Sequence, residues 1–373
     1  MIYLDNAATS YPKPPAVIKA LVRSFKAAPG NPGRSSHKLS VAAAEAIYNC
    51  REDISELLNT NDPEGVVFTY NATHALNLAI KSYINDGDHV ITSDIEHNAV
   101  IRPLEKLKNE GRISYNVFCS DDVLEQSIEK LIKENTACII STNQSNVTGK
   151  RIPLEILSKI AKRHGIKLII DASQSLGHFE IDLEKCPCDI LCGPAHKGLF
   201  GIQGAGFAVF SDTSRKKSWI EGGSGTDSIS TQMPLYLPEG YEAGTLGTPA
   251  ICALGAGVRY VKSLGLPYVE HKLNRLTAML SERLQSIDGI KLYAAENGIV
   301  SFNLKGLKSS QTAALLDDRR ICVRSGLHCA PSAHKKLGTL TEGTVRASLS
   351  VQNTKQDIDT TYKIISELAK LYC

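Results

Sequence analysis

The stretch that decides the fold is residues 167–206, KLIIDASQSLGHFEIDLEKCPCDILCGPAHKGLFGIQGAG. It begins with an apolar run, Leu-Ile-Ile at 168–170, that ends abruptly in Asp171. A run of branched aliphatic residues without polar alternation is typical of a strand buried on both faces of a parallel sheet. We therefore expect Asp171 at the carboxyl end of a central strand, which is the edge where open α/β sheets bind ligands.

Lys197 is expected at the same edge, because it follows a second short strand, residues 189–192. A buried carboxylate needs a cationic partner, and a desolvated lysine has a lowered pKa that makes it a nucleophile towards carbonyls. An aspartate facing a pyridinium nitrogen and a lysine that forms an imine are the two protein groups that pyridoxal phosphate requires. Taken alone, the two residues fit equally well a helix-capping Asp171 and a surface Lys197.

The composition is that of a globular protein with more than one core. A chain of 373 residues exceeds one ordinary core, so one large and one smaller domain are expected. Its 42% hydrophobic and 22% charged residues argue against disorder and fibrous structure. The formal net charge of +3 is small for this length, which argues against a nucleic-acid or membrane surface.

Targeting and metal signals are absent from the sequence. The N-terminus lacks a signal-peptide pattern and no segment reaches about 18 uncharged apolar residues, so we expect a cytoplasmic protein. The ten cysteines are scattered, several of them within apolar runs, which indicates free thiols in a reducing compartment. Cys186, Cys188 and Cys192 lack a second Cys/His cluster at conventional spacing, so we expect no metal site.

Strands alternate with helices over residues 64–210, which predicts an α/β domain with a mostly parallel sheet. The expected strands are 66–69, 89–92, 114–119, 137–141, 168–171, 189–192 and 207–210, with helices at 74–83, 124–134 and 154–164 among them. From about residue 289 the pattern becomes that of a smaller α+β unit. The expected division is an N-terminal arm of residues 1–15, helices within 16–60 that pack with the small domain, a large domain of 61–262 and a small domain of 263–373.

Three further polar residues are candidates for the site. Thr73 belongs to a turn that feeds a helix N-terminus, where free N–H groups and the helix dipole suit a phosphate, although Thr73 as a helix N-cap explains the same pattern. His97 follows a strand; a histidine there can stack on an aromatic ring or relay protons, while a structural role is the commoner one. Cys329 lies in a polar loop with Arg324 and His328, which favours the thiolate and hence reactivity.

Three motifs stand in order along the chain: AHK at 195–197, EAGT at 242–245 and RSGLHCA at 324–330, the last being the most specific. Together with YLDNAAT at 3–9 and RASL at 346–349, they make the chain resemble the class V aminotransferase family of fold-type I pyridoxal phosphate enzymes. Within that family the chain is most similar to the SufS-like group of cysteine desulfurases and selenocysteine lyases. The resemblance implies a large domain with a mixed, mostly parallel seven-stranded sheet flanked by helices, plus a smaller α+β C-terminal domain.

The resemblance also implies that pyridoxal 5'-phosphate is the cofactor, and it assigns residues to that group. Lys197 would hold the cofactor as an imine, Asp171 would pair with the pyridine nitrogen, Gln174 would contact the ring hydroxyl, and His97 would stack on the ring. The phosphate-contacting positions would be Thr73, His196 and, from the neighbouring subunit of a homodimer, Thr248.

The same resemblance implies the reaction. Arg346, with Asn146, would clamp the carboxylate of L-cysteine, a task for which a bidentate guanidinium is suited. Lys197 would take the α-proton, and Cys329 would attack the substrate sulfur and leave as a persulfide. The implied function is a cysteine desulfurase that forms L-alanine and passes sulfur to an acceptor protein, as in iron–sulfur cluster assembly. A selenocysteine lyase acting on L-selenocysteine is the near alternative, and an aminotransferase the less favoured one.

Three positions depart from the family's usual pattern. Pro194 stands two residues before His196, where a serine usually donates to the phosphate. Leu327 replaces the first histidine of the usual His-His-Cys, and His74 follows Thr73 where a small or acidic residue is commoner. None of these changes removes a catalytic group, so they point to a divergent branch whose preference between sulfur and selenium stays open.

Overall fold

The computed structural model describes residues 1–33, 36–60, 62–212 and 218–373. The strands in these ranges are β1 (Ile2–Tyr3), β2 (Val66–Thr69), β3 (His89–Ser93), β4 (Ser114–Phe118), β5 (Thr136–Thr142), β6 (Lys167–Asp171), β7 (Ile190–Pro194), β8 (Gly206–Phe210), β9 (Ile290–Glu296), β10 (Ile299–Leu304), β11 (Ile321–Cys322), β12 (Arg324–Gly326) and β13 (Thr344–Ser348). The helices are α1 (Pro15–Ala27), α2 (Lys38–Leu57), α3 (Ala72–Tyr83), α4 (Asn98–Asn109), α5 (Leu124–Glu129), α6 (Leu154–His164), α7 (Thr248–Leu264), α8 (Leu266–Gln285), α9 (Ser309–Asp318), α10 (Pro331–Lys336) and α11 (Lys355–Tyr372). Among the described residues, no helix combines the length and the apolar character needed to span a lipid bilayer.

Seven strands of the described chain form the large sheet, in the order β2-β8-β7-β6-β5-β3-β4. Every pairing is parallel except those of β8, which runs antiparallel to both β2 and β7. The expected mixed, mostly parallel sheet is confirmed. Strand β6 lies at its centre and is buried on both faces: Leu168 and Ile170 belong to one core cluster, whereas Ile169 belongs to another.

A smaller sheet of four antiparallel strands, in the order β12-β13-β10-β9, forms the C-terminal part. Helices α8, α9 and α11 contribute apolar residues to the same core as this sheet, so the predicted α+β unit is confirmed. The N-terminal strand β1 reaches this part of the molecule, because it pairs in parallel with β11. Leu4, which follows β1, is fully buried in the same core.

The helices within residues 16–60 divide between the two cores, which corrects the expectation that they all pack with the small domain. Val17 of α1 belongs to the small-domain core. Ile54 of α2 belongs to the core of the large domain, because α2 packs along α7 beside the large sheet. Helix α7 joins the two cores, since Leu254 packs in the large-domain core and Val261 in the small-domain core. We propose that the boundary between the large and the small domain lies between residues 262 and 263.

A buried ion pair connects α2 to the edge strand β2. Arg51 Nη2 lies 2.6 Å from Glu242 Oε2, and both side chains are 7% exposed. Glu242 Oε1 accepts a hydrogen bond of 2.6 Å from the backbone N–H of Phe68, and Arg51 also donates to the carbonyl of Val66. Glu242, the first residue of the EAGT motif, therefore ties its own loop to both elements.

Removal of one partner of this ion pair should destabilise the fold more than removal of both. Arg51→Met leaves the Glu242 carboxylate buried without its cation, and we expect a loss of about 3–5 kcal/mol in the free energy of unfolding. The double variant Arg51→Met with Glu242→Gln removes both charges and should lose less than Arg51→Met alone. Urea unfolding followed by circular dichroism measures the difference. Losses that simply add would contradict a direct interaction between the two side chains.

Candidate active site

A cavity of about 240 Å³ lies at the carboxyl ends of β5, β6 and β7, beneath the loop that follows β12. Its lining includes nine of the ten residues predicted for the site: Thr73, His97, Asn146, Asp171, Gln174, His196, Lys197, Cys329 and Arg346. Thr248, the first residue of α7, is buried outside this lining. The fold therefore brings together residues from positions 73 to 346, while their individual roles stay predictions.

Asp171 ends β6 and is 2% exposed. Its Oδ1 accepts a hydrogen bond of 2.9 Å from the N–H of Ser173. Within the described ranges, its Oδ2 accepts no hydrogen bond. A buried carboxylate with one oxygen left over at the sheet edge is suited to pair with a protonated ring nitrogen in the cavity.

Lys197 follows β7 in a turn that the N-terminal arm holds. The carbonyl of His196 accepts hydrogen bonds from the N–H of Ser10 at 2.9 Å and from Lys13 Nζ at 3.1 Å. Desolvation lowers the pKa of Lys197 to about 8, and the negative charge of Asp171 opposes this shift. No described residue forms an ion pair or hydrogen bond with the Lys197 amine. The neutral form of the amine, which attacks a carbonyl, is therefore far more populated near physiological pH than in an ordinary lysine, although the charged form still predominates.

His97 is the N-cap residue of α4. Its Nδ1 accepts a hydrogen bond of 3.0 Å from the N–H of Ala99, so the hydrogen of the neutral ring is assigned to Nε2. Desolvation lowers the pKa of His97, although the charge of Asp171 opposes the shift. A neutral imidazole that is fixed by the helix is suited to stack on a planar ring. As a proton carrier it has only Nε2 to offer.

Glu96 is a residue of the site's surroundings that the sequence interpretation missed. It is fully buried, and its Oε1 accepts hydrogen bonds from the hydroxyl of Ser93 and, at 2.8 Å, from the N–H of Thr142. Burial raises the pKa of Glu96 to about 8, and the charge of Asp171 adds to the shift. A neutral Glu96 thus joins the ends of β3 and β5 without placing a second anion beside Asp171. The feature of the sequence that could have identified Glu96 is its position next to His97, just after a buried strand.

The N-terminus of α3 offers donors to an anion. Its N-cap is Asn71, whose side chain accepts a hydrogen bond of 2.9 Å from the N–H of His74, so the alternative of a Thr73 N-cap is wrong. The N–H groups of Ala72 and Thr73 and the Thr73 hydroxyl donate to no residue in the described part of the chain. These donors, at the positive end of the helix dipole, fit a phosphate group.

His196 adds a donor to this set, whereas Pro194 cannot. The Nδ1 atom of His196 is buried without a hydrogen-bond partner among the described residues. Desolvation lowers the pKa of His196 to about 4, so the ring is neutral and carries one N–H.

Gly206 allows β8 to lie against the N-terminus of α3, because a Cβ at this position would stand 2.6 Å from the carbonyl carbon of Asn71. The helix end, Thr73 and His196 together fit a phosphate without a serine at position 194.

Arg346, in β13, is 2% exposed and has two partners within the protein. Its Nη1 donates to the carbonyl of Asn146 and its Nη2 to Oδ1 of Asp5, each at 3.0 Å. Its Nε donates to no described residue. The side-chain amide of Asn146 donates to the carbonyl of His328 at 2.7 Å, which leaves its amide oxygen and second hydrogen without a partner among the described residues. A substrate carboxylate would share the guanidinium with Asp5, a residue that the sequence interpretation did not select.

Cys329 lies in the loop between β12 and α10 and lines the same cavity as Lys197. His328 and Cys329 have backbone φ angles of 51° and 55°, a left-handed conformation that costs about 1–3 kcal/mol for each non-glycine residue. The Asn146 side chain holds the carbonyl of His328, and the N–H of Asn98 holds the carbonyl of Cys329, each at 2.7 Å. All ten cysteines are free, and Cys329 is one of the two that are exposed.

Comparisons with known proteins place the chain in a family. The family model described as Aminotransferase class-V matches residues 2–361. The chain belongs to the class-V aminotransferase family. Membership of this family implies pyridoxal phosphate as the cofactor, and the donors and acceptors of the cavity fit that group. In the described part of the chain, no cluster of three or more histidine, cysteine or carboxylate side chains is arranged to hold a metal ion.

Three similar members of the class-V aminotransferase family are described as cysteine desulfurases. A probable cysteine desulfurase of Methanothermobacter thermautotrophicus is 32% identical over 99% of this chain and 94% of its own length. A cysteine desulfurase of Salmonella agona is 31% identical over 100% of this chain and 93% of its own. The apo structure of a cysteine desulfurase from Thermococcus onnurineus matches with a TM-score of 0.93 at 32% identity, covering 99% of this chain and 94% of that one.

The buried Glu96 predicts a loss of stability at high pH. Its pKa rises from 4.5 to about 8 on folding, so the unfolded chain ionises first and stability falls as the pH rises between these values. Glu96→Gln keeps an acceptor for Ser93 and Thr142 and cannot ionise. We expect the difference in Tm between Glu96→Gln and wild type, measured by calorimetry, to shift in favour of the variant by about 2–4 °C between pH 5 and pH 9. An advantage independent of pH would contradict a protonated Glu96.

Proposed function

We propose that this chain is a pyridoxal-phosphate-dependent cysteine desulfurase, which converts L-cysteine to L-alanine and takes the sulfur onto Cys329 as a persulfide. The observation that carries this proposal is the position of Cys329 in the cavity that also contains Lys197. A site with the lysine alone would serve transamination or elimination equally well. The thiol provides the sulfur acceptor that desulfuration requires, and the names of the relatives support the same function.

The residues of the cavity would hold the cofactor at both ends. The proposed contacts are Lys197 to the aldehyde, Asp171 to the ring nitrogen, Gln174 to the ring hydroxyl, His97 to the ring face, and Thr73 and His196 to the phosphate. Gln174 Nε2 donates to the carbonyl of Ala7 at 3.1 Å, so its amide oxygen and second hydrogen are available. Bound there, pyridoxal phosphate supplies an electron sink for breaking bonds at the α- and β-carbons of the amino acid.

The substrate would be oriented by its carboxylate. Arg346 would bind that group with its Nε and one Nη atom, in competition with Asp5. Lys197, whose pKa is lowered to about 8, would accept the α-proton of the substrate.

Cys329 would then complete the sulfur transfer. Its thiolate attacks Sγ of the substrate, and a sulfur–sulfur bond forms as the Cβ–Sγ bond breaks. The electron pair of the broken bond stays with Cβ, which takes up a proton and becomes the methyl group of L-alanine. The sum is L-cysteine plus a protein thiol giving L-alanine plus a protein persulfide. An acceptor protein or an added thiol would then remove the sulfur from Cys329.

We also propose a homodimer, in which Thr248 of each subunit reaches the cofactor phosphate of the other. This proposal rests on the family resemblance; Thr248 opens helix α7 and stands outside the cavity lining of its own chain.

Replacement of Cys329 should separate the reaction from cofactor binding. We expect Cys329→Ala to lower the formation of alanine and sulfide from L-cysteine by about 100-fold or more, because the sulfur acceptor is missing. The absorbance of the bound cofactor at about 410–430 nm should be unchanged, since Lys197 and Asp171 are intact. Cys329→Ser is the matched control for shape, and it should be as inactive as Cys329→Ala.

The same assays, applied to wild type, distinguish the competing functions. Wild type that turns over L-selenocysteine alone would favour a selenocysteine lyase. Turnover that yields no sulfide and depends stoichiometrically on a keto acid would overturn the proposal in favour of an aminotransferase.

A further inference from the structure

A chain of hydrogen bonds runs behind the cysteine loop. His328 Nδ1 lies 3.2 Å from His334 Nε2, and His334 Nδ1 lies 2.8 Å from the Thr339 hydroxyl. At the other end, His328 Nε2 lies 3.4 Å from the carbonyl oxygen of Arg324. The two rings stack with centroids 5.4 Å apart and an interplanar angle of 21°. His328 is 5% exposed, and His334 and Thr339 are fully buried.

The direction of each hydrogen bond follows from its fixed end. The carbonyl of Arg324 can only accept, so His328 Nε2 carries the hydrogen and His328 Nδ1 accepts. His334 Nε2 must then donate to His328, which leaves His334 Nδ1 to accept from the Thr339 hydroxyl. Both rings are neutral in this scheme. Burial supports it, because desolvation lowers the pKa of His328 to about 2 and that of His334 to about 4.

His328 therefore has no ring nitrogen free for proton transfer, although it stands next to Cys329. Leu327, which precedes His328, has no ring nitrogen at all. The ring of His328 acts instead as a connection between the strained backbone at positions 328 and 329 and the helix α10, which carries His334.

Helix α10 is itself anchored to the large domain. Lys336, two residues after His334, donates to Asp94 Oδ2 and to the hydroxyl of Ser120, each at 2.8 Å. Both partners follow strands of the large sheet, β3 and β4. The connection from Cys329 through His328 and His334 therefore ends on the same framework that carries Asp171 and Lys197.

We propose that His334 is a positioning residue for the Cys329 thiol and acts through the ring of His328. The proposal rests on the desulfurase function proposed above and adds a residue to it. Loss of the His334–His328 hydrogen bond leaves the left-handed backbone at residues 328 and 329 held only by the hydrogen bonds from Asn146 and Asn98, so the thiol is less firmly positioned towards the substrate sulfur. Substrate and cofactor contacts stay in place, because neither involves His334.

The test compares His334→Phe, which keeps a buried ring without donors, with His334→Gln, whose amide can donate to His328 Nδ1. For the phenylalanine variant we expect kcat for L-cysteine to fall about tenfold or more with KM within about twofold, since misplacement of a reacting group by about 1 Å has effects of this size. A selenolate leaves more easily than a thiolate and demands less of the nucleophile. Turnover of L-selenocysteine by the same variant should therefore fall by less than about threefold. The glutamine variant should recover most of the loss, and Lys335→Ala, an exposed neighbour in α10, should match wild type.

A second readout does not need turnover. The rate at which iodoacetamide alkylates Cys329, followed by mass spectrometry of its peptide, should rise about threefold in His334→Phe and remain near wild type in His334→Gln, because a less firmly held thiol reaches the reagent in more orientations. Thr339→Val removes the hydroxyl that orients His334 and should change kcat and alkylation in the same direction. This variant decides the question if His334→Phe does not fold.

The outcomes separate the two proposals. Wild type that forms no alanine and sulfide from L-cysteine defeats the proposed function, while the alkylation rates still judge the role of His334. The positioning role is overturned if wild type is active and His334→Phe has the same kcat and the same alkylation rate as wild type. If His334→Phe does not fold, the same result for Thr339→Val overturns it. If His334→Gln is folded but as impaired as His334→Phe, the hydrogen bond to His328 is not the cause of the impairment.

Discussion

The site depends on one buried carboxylate, Asp171, at the end of a strand that is covered on both faces. Water does not solvate it from either side of the sheet, so its charge has to be balanced within the cavity. Lys197, Arg324 and Arg346 are the cations whose charges act there, as the causes of the Lys197 pKa shift show. Glu96 stays protonated beside them, so Asp171 does not face a second anion. The result is a pocket suited to an anionic cofactor and to a substrate carboxylate.

The parts of this arrangement that depend on local sequence could be predicted. Strand β6 follows from three consecutive branched aliphatic residues, because such a run is typical of a strand buried on both faces. The motifs around Lys197 and Cys329 are short and contiguous, so their residues could be selected before any contact was known. Contacts between distant residues could not. Asp5 pairs with Arg346 across 341 positions, and no local pattern in the sequence indicates that pair.

Two predictions failed because several residues fit one local pattern. Asn71 and Thr73 are both suitable N-caps, and the extended backbone of Asn71, with φ of −173°, decides between them. Helix α2 has an apolar face that fits either core, and only its packing along α7 assigns it to the large domain. His334 was missed for a different reason: a histidine in a short helix has no meaning until the ring of His328 is seen beside it.

The central claim is that the thiol at position 329 receives sulfur from an amino acid bound at Lys197. The most direct measurement gives the cofactor-loaded protein one equivalent of L-cysteine with isotopically labelled sulfur, without reductant, and locates the label by peptide mass spectrometry. The account predicts one labelled sulfur atom on the peptide containing Cys329, in an amount equal to the alanine formed. Alanine formed while Cys329 stays unlabelled, with the sulfur released or carried by another exposed thiol such as Cys373, would contradict it.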